Sequence, residues 1–163
     1  MVLVRATTTT DWQALREIRL QALLDAPDAF ASTHAGEAAF GQDEWRRRAG
    51  RDGSFIAFLP EVCPAGLGGG YLAEPEVVEL IGMFVRPQAR GRGVGEAVID
   101  AVAGWAGQQG ASTVHLWVTE TNSSARLLYE RCGFTVTAER QPLPSNPAVG
   151  ELGMIRRLDG RTG

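Results

Sequence analysis

Lysine is absent from this sequence: all 16 basic residues are arginine. That absence removes two mechanisms, because a Walker-type site needs a lysine ammonium on its β- and γ-phosphates and a Schiff-base enzyme needs a free ε-amine. Cysteine is scarce as well. Cys63 and Cys132 are too few for a disulfide framework and lack metal-ligand spacing, and with only His34 and His115 to join them no metal site is expected. Long apolar runs are missing, with nothing near the roughly 18 consecutive apolar residues of a membrane span. The first 25 residues carry Arg5, Asp11, Arg16, Glu17, Arg19 and Asp25 instead of the apolar stretch of a secretory leader. The expectation is a cytoplasmic protein without a membrane partner. An excess of positive charge is lacking too. The formal net charge of −3 speaks against a nucleic-acid partner, whose affinity rests on neutralised phosphates. The basic run Arg46-Arg47-Arg48 reads as a solvated helix face.

What is present suits one globular domain over 1–163. Apolar residues make up 44% and charged residues 21%, and a chain of this length buries roughly 70% of its unfolded surface. Val2 to Arg5 is β-like, and Thr10 followed by Gln13 resembles a capping box that opens an amphipathic helix with Leu15, Ile18, Ala22 and Leu23 inside. Asp25-Ala26-Pro27 ends it. A second helix is expected over Asp43 to Ala49, anchored by Trp45, while Asp28 to Gln42 gives no clear signal. From Ser54 the period becomes that of strands, at Phe55 to Leu59, Gly66 to Leu72 and Val77 to Val85, with connections at Pro60 to Pro64 and Glu74 to Glu76 short enough for an antiparallel meander. A helix follows over about Glu96 to Gln109, with Val98, Val102 and Trp105 on one stripe and Gly110 as its stop. A strand at Thr113 to Val118 leads to Asn122, the cap of a short helix Ser123 to Arg131 that ends at Gly133. Strands near Phe134 to Ala138 and Glu151 to Leu158 then flank a proline-rich loop, Pro142 to Pro147. The fold class is α+β.

The strongest local signal is Val85-Arg86-Pro87-Gln88-Ala89-Arg90-Gly91-Arg92-Gly93-Val94-Gly95. A strand enters a turn with glycine at alternate positions and leaves it directly as a helix, so backbone N–H groups converge at the positive end of a helix dipole. Arg90 and Arg92 add fixed charge, which suits a diphosphate better than a carboxylate. A dinucleotide fingerprint fails here because Glu96 stands where Gly or Ala is required. The match Gly68-x-Gly70-x-x-Ala73 meets that fingerprint, yet Pro75 and strand-like sequence follow it. Its glycines are expected to bend a strand or admit a close neighbour.

A second constellation lies on the short helix, where Asn122, Ala125 and Tyr129 share one face apart from Leu127 and Leu128. A ligand can lie against the small Ala125 with the Tyr129 hydroxyl at its reactive end. Together, Arg90-Gly91-Arg92-Gly93-Val94-Gly95 and Asn122, Ala125, Tyr129 and Gly133-Phe134 resemble the GNAT superfamily of acetyl-CoA-dependent N-acetyltransferases. The resemblance covers Val77 to Phe134 most specifically. It implies a mixed, mostly antiparallel sheet flanked by helices, in which the fourth and fifth strands splay to admit a thioester. It also implies acetyl-CoA as cofactor, with its pyrophosphate on Arg90 to Gly95, its pantetheine arm paired with Phe84 and Val85, and Asn122, Ala125 and Tyr129 beside it.

The reaction so implied is acetyl transfer to an amine by direct attack in a ternary complex, with Tyr129 as general acid and Glu79, six residues before Val85, as general base. The acceptor is a small-molecule or peptide amine, and the resemblance is compatible with a homodimer. A non-catalytic acyl-CoA sensor of the same fold is the alternative, and a partner-binding domain without affinity for coenzyme A is a third. His115 shares a strand face with Thr113 and Trp117 and reads as a packed histidine. Cys132 reads as buried and inert.

Overall fold

The computed structural model describes residues 1–158; residues 159–163, the tail of the expected domain, lie outside the described part. Seven strands form one sheet: β1 (Leu3–Ala6), β2 (Ser54–Leu59), β3 (Val62–Glu74), β4 (Val77–Val85), β5 (Thr113–Thr119), β6 (Thr135–Leu143) and β7 (Asn146–Arg157). Their order in space is β1-β2-β3-β4-β5-β7-β6, antiparallel except between β4 and β5. The parallel pair follows from the chain, since the connection from β4 to β5 is a long crossover through a helix. That helix is α4 (Val94–Gln108); the others are α1 (Trp12–Asp25), α2 (His34–Ala38), α3 (Gln42–Ala49) and α5 (Ser123–Arg131). Among the described residues no helix is long and apolar enough to cross a membrane.

The parallel seam is short. Only Val77 with Thr113, Val78 with Val114 and Glu79 with His115 stand in register, after which β4 and β5 part, as the resemblance implied. β5 meanwhile pairs with β7 along its whole length, from Thr113 with Arg157 to Thr119 with Glu151. In β4 the residues Gly82 and Met83 stand opposite Gly68 alone, a bulge made by Gly82 at φ +67°. The bulge inverts the alternation. Glu79 and Ile81 lie on one face before it, whereas Phe84 takes that face after it and Met83 turns to the other.

Each face of the sheet has its own cover. Val94, Val98 and Val102 of α4 recur at i, i+4 and settle over Gly66, Gly68 and Gly70 of β3, where an added Cβ would stand 2.7, 2.8 and 2.9 Å from their methyls. These glycines are therefore the groove that lets α4 approach, the close neighbour expected from the sequence. On the opposite face Leu15, Ile18, Ala22 and Leu23 of α1 pack with Phe30, Leu67 and Phe84, each large side chain contributing about 1.5–3 kcal/mol by burial. Trp45 holds α3 to the same side and is 1% exposed.

Several expectations shift at the level of local structure. The capping box belongs to Thr8 and Asp11, which open a single 3-10 turn before α1. β3 begins at Val62, so Pro60 to Pro64 is a tight turn and the start of a strand. The proline-rich loop is mostly strand, because β6 and β7 run on to a turn at Pro144-Ser145, and β6 is an edge strand where Pro142 needs no ladder partner on its outer side. Leu127, on the face of the short helix away from Asn122, Ala125 and Tyr129, is 57% exposed and so does not make that face a core face. Both glycine stops hold: Gly110 and Gly133 take φ +83° and +90°, and the Phe134 N–H returns to the Tyr129 carbonyl at 3.0 Å.

Candidate active site

At the end of β4 the chain makes one 3-10 turn, Pro87–Ala89, and enters the glycine segment. Gly91 and Gly93 adopt φ +74° and +83°, and an added Cβ at either position would stand in open space. Gly93 is the N-cap of α4. The first intrahelical bond runs from the Ala97 N–H to the Gly93 carbonyl at 3.1 Å, so the amides of Val94, Gly95 and Glu96 are left for an anion. The side chains here have other duties. Val94 is 1% exposed in the core, and Gly95 keeps α4 close to α5, where a Cβ would meet Leu128 at 2.9 Å. Arg92 is paired with Glu61. Arg90 folds back, its Nε donating to the Val85 carbonyl at 3.1 Å.

The Val85 carbonyl is reachable because of ladder alternation. The Arg86 N–H donates to the Ala65 carbonyl at 2.9 Å, so residues 84 and 86 face β3 and Val85 turns its backbone groups into the gap between β4 and β5. Phe84, expected beside it as a contact, has its backbone against β3 and its ring in the α1 core. It supports the site from behind and does not line it.

Across the gap, Asn122 Oδ1 accepts from the Ala125 N–H at 3.2 Å and caps α5. Asn122, Ala125 and Tyr129 all line a cavity of about 620 Å³ that passes through the splay. Tyr129 is 8% exposed and sits edge-on to Phe134 at 5.9 Å between centroids. Its hydroxyl has no hydrogen-bond partner among the described residues, although Tyr129 is part of the cavity wall. Burial pushes its pKa above the ordinary tyrosine value, with a further push from Cys132, so the phenol stays protonated. Cys132 is half-buried, and burial raises its thiol as well.

The cavity wall also carries the carboxylates Glu37, Asp52, Glu79 and Glu151, beside the guanidiniums of Arg19, Arg48 and Arg51. Glu79 is 12% exposed, with its Oε2 2.8 Å from His115 Nδ1. His115 Nε2 is in turn 2.8 Å from Glu139 Oε1. The hydrogen bond to Glu79 raises the pKa of His115, against an opposing desolvation, and Glu139 adds to the rise. His115 does share the expected face with Trp117, its ring 5.1 Å away, but it is held between two carboxylates and not packed in the core. Glu151, 7% exposed, accepts from Gln141 Nε2 at 3.0 Å and faces the same cavity. Deeper in the wall, Glu37 is 1% exposed. Burial raises its pKa, but hydrogen bonds from Arg19 and the charge of Arg48 outweigh that and hold it low. Arg48, expected on a solvated face, thus turns inward to Glu37 at 2.9 Å and lies over Phe40.

The structure therefore brings Glu79, Asn122, Ala125 and Tyr129 to one cavity, while Val85 and the glycine turn lie beyond it at the end of β4. Sequence reasoning missed Glu151, Glu37 and Glu139. For Glu151 a signal existed, an acid within the apolar alternation of the last strand.

The profile of the acetyltransferase (GNAT) family matches residues 12–134. Mycothiol acetyltransferase of Salinispora arenicola is 33% identical over 134 residues, covering 77% of this chain and 41% of that protein. The chain spans less than half the length of the curated relatives it matches. A GCN5-related N-acetyltransferase from Kribbella flavida has a similar structure, with TM-score 0.76, 26% identity, and coverage of 96% of this chain and 98% of that one. YncA from Salmonella typhimurium, solved with its cofactor acetyl-CoA, shares the fold at TM-score 0.77 and 19% identity, over 100% and 97% of the two chains.

Proposed function

This chain belongs to the GNAT family of acetyltransferases, and we propose that it transfers acetyl from acetyl-CoA to an amine by direct attack in a ternary complex. The observation that carries the reading is the opening beyond the three-rung seam. Glu79, Asn122, Ala125 and Tyr129 line the cavity that passes through it, and Val85 and the glycine turn follow along β4 beyond that cavity.

The fit of the donor rests on the turn itself. Gly91 and Gly93 keep clear the space a Cβ would fill, the amides of Val94 to Glu96 supply donors, and Arg90 and Arg92 supply charge for a diphosphate. Arg90 must then leave the Val85 carbonyl, which frees that strand end to pair with an amide arm. Bound there, acetyl-CoA supplies an activated acyl group with a thiol as its leaving group. Tyr129 offers its hydroxyl proton as a hydrogen bond to the sulfur. Because a thiol ionises near about 8.5 and the buried phenol above about 10, Tyr129 serves by donating that bond and not by ionising.

On the acceptor side an ammonium must lose a proton before it attacks, and in this reading Glu79, a carboxylate on the cavity wall, takes it. Glu79 and Glu151 offer carboxylates to an acceptor in the cavity, where Arg19 and Arg48 are already paired with Glu37, and this fits a cationic small-molecule or peptide amine. With no lysine, the chain offers its own donor no side-chain amine in competition. The test is purified protein with acetyl-CoA against a panel of polyamine, aminoglycoside-like, amino-acid and peptide acceptors, read as thiol release. Release with at least one class is expected. Binding of acetyl-CoA without release across the panel would favour the sensor reading, and absence of binding would refute both.

A further inference from the structure

An isolated carboxylate is poorly matched to an ammonium, since the two ionise near about 4 and about 8–10. Glu79 has beside it a group that titrates nearer the ammonium, His115. His115 stands on the same rung of the parallel seam, and its ring lies between Glu79 and Glu139, at 2.8 Å from each. The second contact is unusual because Glu139 is on β6, and β7 intervenes between β5 and β6. Two features make it. Residues 137–139 of β6 stand opposite Gly153 alone, so the strand bulges toward β7. Gly153 then leaves the path clear: a Cβ there would stand 2.6 Å from Glu139 Oε1. Thr137 Oγ1 fixes the arm by donating at 3.1 Å to that same oxygen.

We propose that the acceptor's proton is taken by Glu79 and His115 as one unit and held at His115 Nδ1, and that Glu139, reaching across β7 through the gap at Gly153, keeps the Nε2–H directed outward. The proposal rests on Glu79 as the base. In the receptive state Glu79 and Glu139 are carboxylates and His115 is neutral, its Nε2–H donating to Glu139 and its Nδ1 lone pair facing Glu79. The amine nitrogen gives up one proton through Glu79, and the imidazole becomes imidazolium between two carboxylates. Release to water restores the starting tautomer without a ring flip. His115 and Glu139 are positioning residues that act through Glu79. The groups facing the unit are Tyr71 of β3 toward Glu79, Trp117 of β5, Ile155 of β7, and Thr137 and Glu139 of β6, while Arg140 donates to the Thr137 and Glu139 carbonyls. Of the charged groups named, only Glu139 is in direct contact with His115 besides Glu79 itself.

The unit must lose its proton before it can act, so kcat/KM rises with pH through its titration. Glu139 raises that titration, so its removal moves the rise to lower pH. The experiment compares kcat/KM–pH profiles of the parent, Glu139→Gln, Gly153→Ala and Glu79→Gln, together with the His115 ring resonances by NMR titration. Expected are a His115 titration and an acidic limb that both move to lower pH in Glu139→Gln, the same displacement in Gly153→Ala, and a severalfold gain relative to the parent at the foot of the limb. A Glu139→Gln limb superimposed on the parent's, with Glu79→Gln inactive, overturns the arm while Glu79 stays the base. A Glu79→Gln protein with the parent's rate and profile overturns the base assignment and the proposal with it.

Discussion

Replacing Tyr129 with phenylalanine separates chemistry from folding, because the structure predicts opposite signs for the two. The ring packs on Phe134 and keeps that contact as phenylalanine. The hydroxyl makes no hydrogen bond to the described protein, so its removal costs no partner and spares the partial desolvation of a polar atom; stability should be unchanged or higher by up to about 1 kcal/mol. The chemical step loses the hydrogen bond at the sulfur. The low end for a positioned proton donor is roughly 10²-fold, equivalent to about 2.7 kcal/mol of barrier. The assay is single-turnover thiol release with saturating acetyl-CoA and acceptor, paired with urea unfolding of the same two proteins. A kcat reduced about a hundredfold with an unmoved or raised urea midpoint supports the assignment. Equal single-turnover rates would refute it, and a rate loss that only tracks a lower midpoint would return Tyr129 to a packing role.

Gly93→Val places a branched side chain at φ +83° in the space kept clear on the turn; calorimetry should show acetyl-CoA affinity reduced at least about tenfold in a protein that still folds. Glu37→Gln strips the shared carboxylate from Arg19 and Arg48, and the urea unfolding free energy should fall by roughly 2–4 kcal/mol, somewhat below the cost of a fully buried pair because both arginines keep some water. Glu151→Gln removes a buried charge from the cavity wall, so steady-state kinetics should show the amine KM up about tenfold with the acetyl-CoA KM unchanged.

The legible parts of the molecule are those whose signals are local. The turn at Gly91 and Gly93, the stops at Gly110 and Gly133, and the valine stripe of α4 each follow from a few neighbouring residues, and all are where the pattern put them. The capping box was readable in kind but slipped by two residues, since Thr8 with Asp11 and Thr10 with Gln13 satisfy nearly the same rule. Pro142, Pro144 and Pro147 signal a loop, and only the position of β6 at the sheet edge makes a strand of most of that segment. At the site, alternation put His115 on the correct face without saying what covers that face. Glu139 reaches it from 24 residues along the chain by way of a bulge and a missing Cβ on the intervening strand. The Arg19–Glu37–Arg48 cluster, with separations of 18 and 11 residues, is likewise a product of how α1, α2 and α3 stack.

The short parallel seam also has a mechanical meaning. β1 to β4 form one half-sheet and β5 to β7 another, and the stitching between them is three residues long at one end. Elsewhere the halves meet through helix packing and through the β6–β7 turn, where Ser145 Oγ donates to the Phe30 carbonyl at 2.6 Å, so the molecule resembles two plates hinged at an edge. A strand-like segment laid along Val85 would supply the missing rungs from the open end and turn two plates into one laminate. Amide hydrogens on both sides of the gap, some of them far from any ligand atom, would then exchange together as a single cooperative unit.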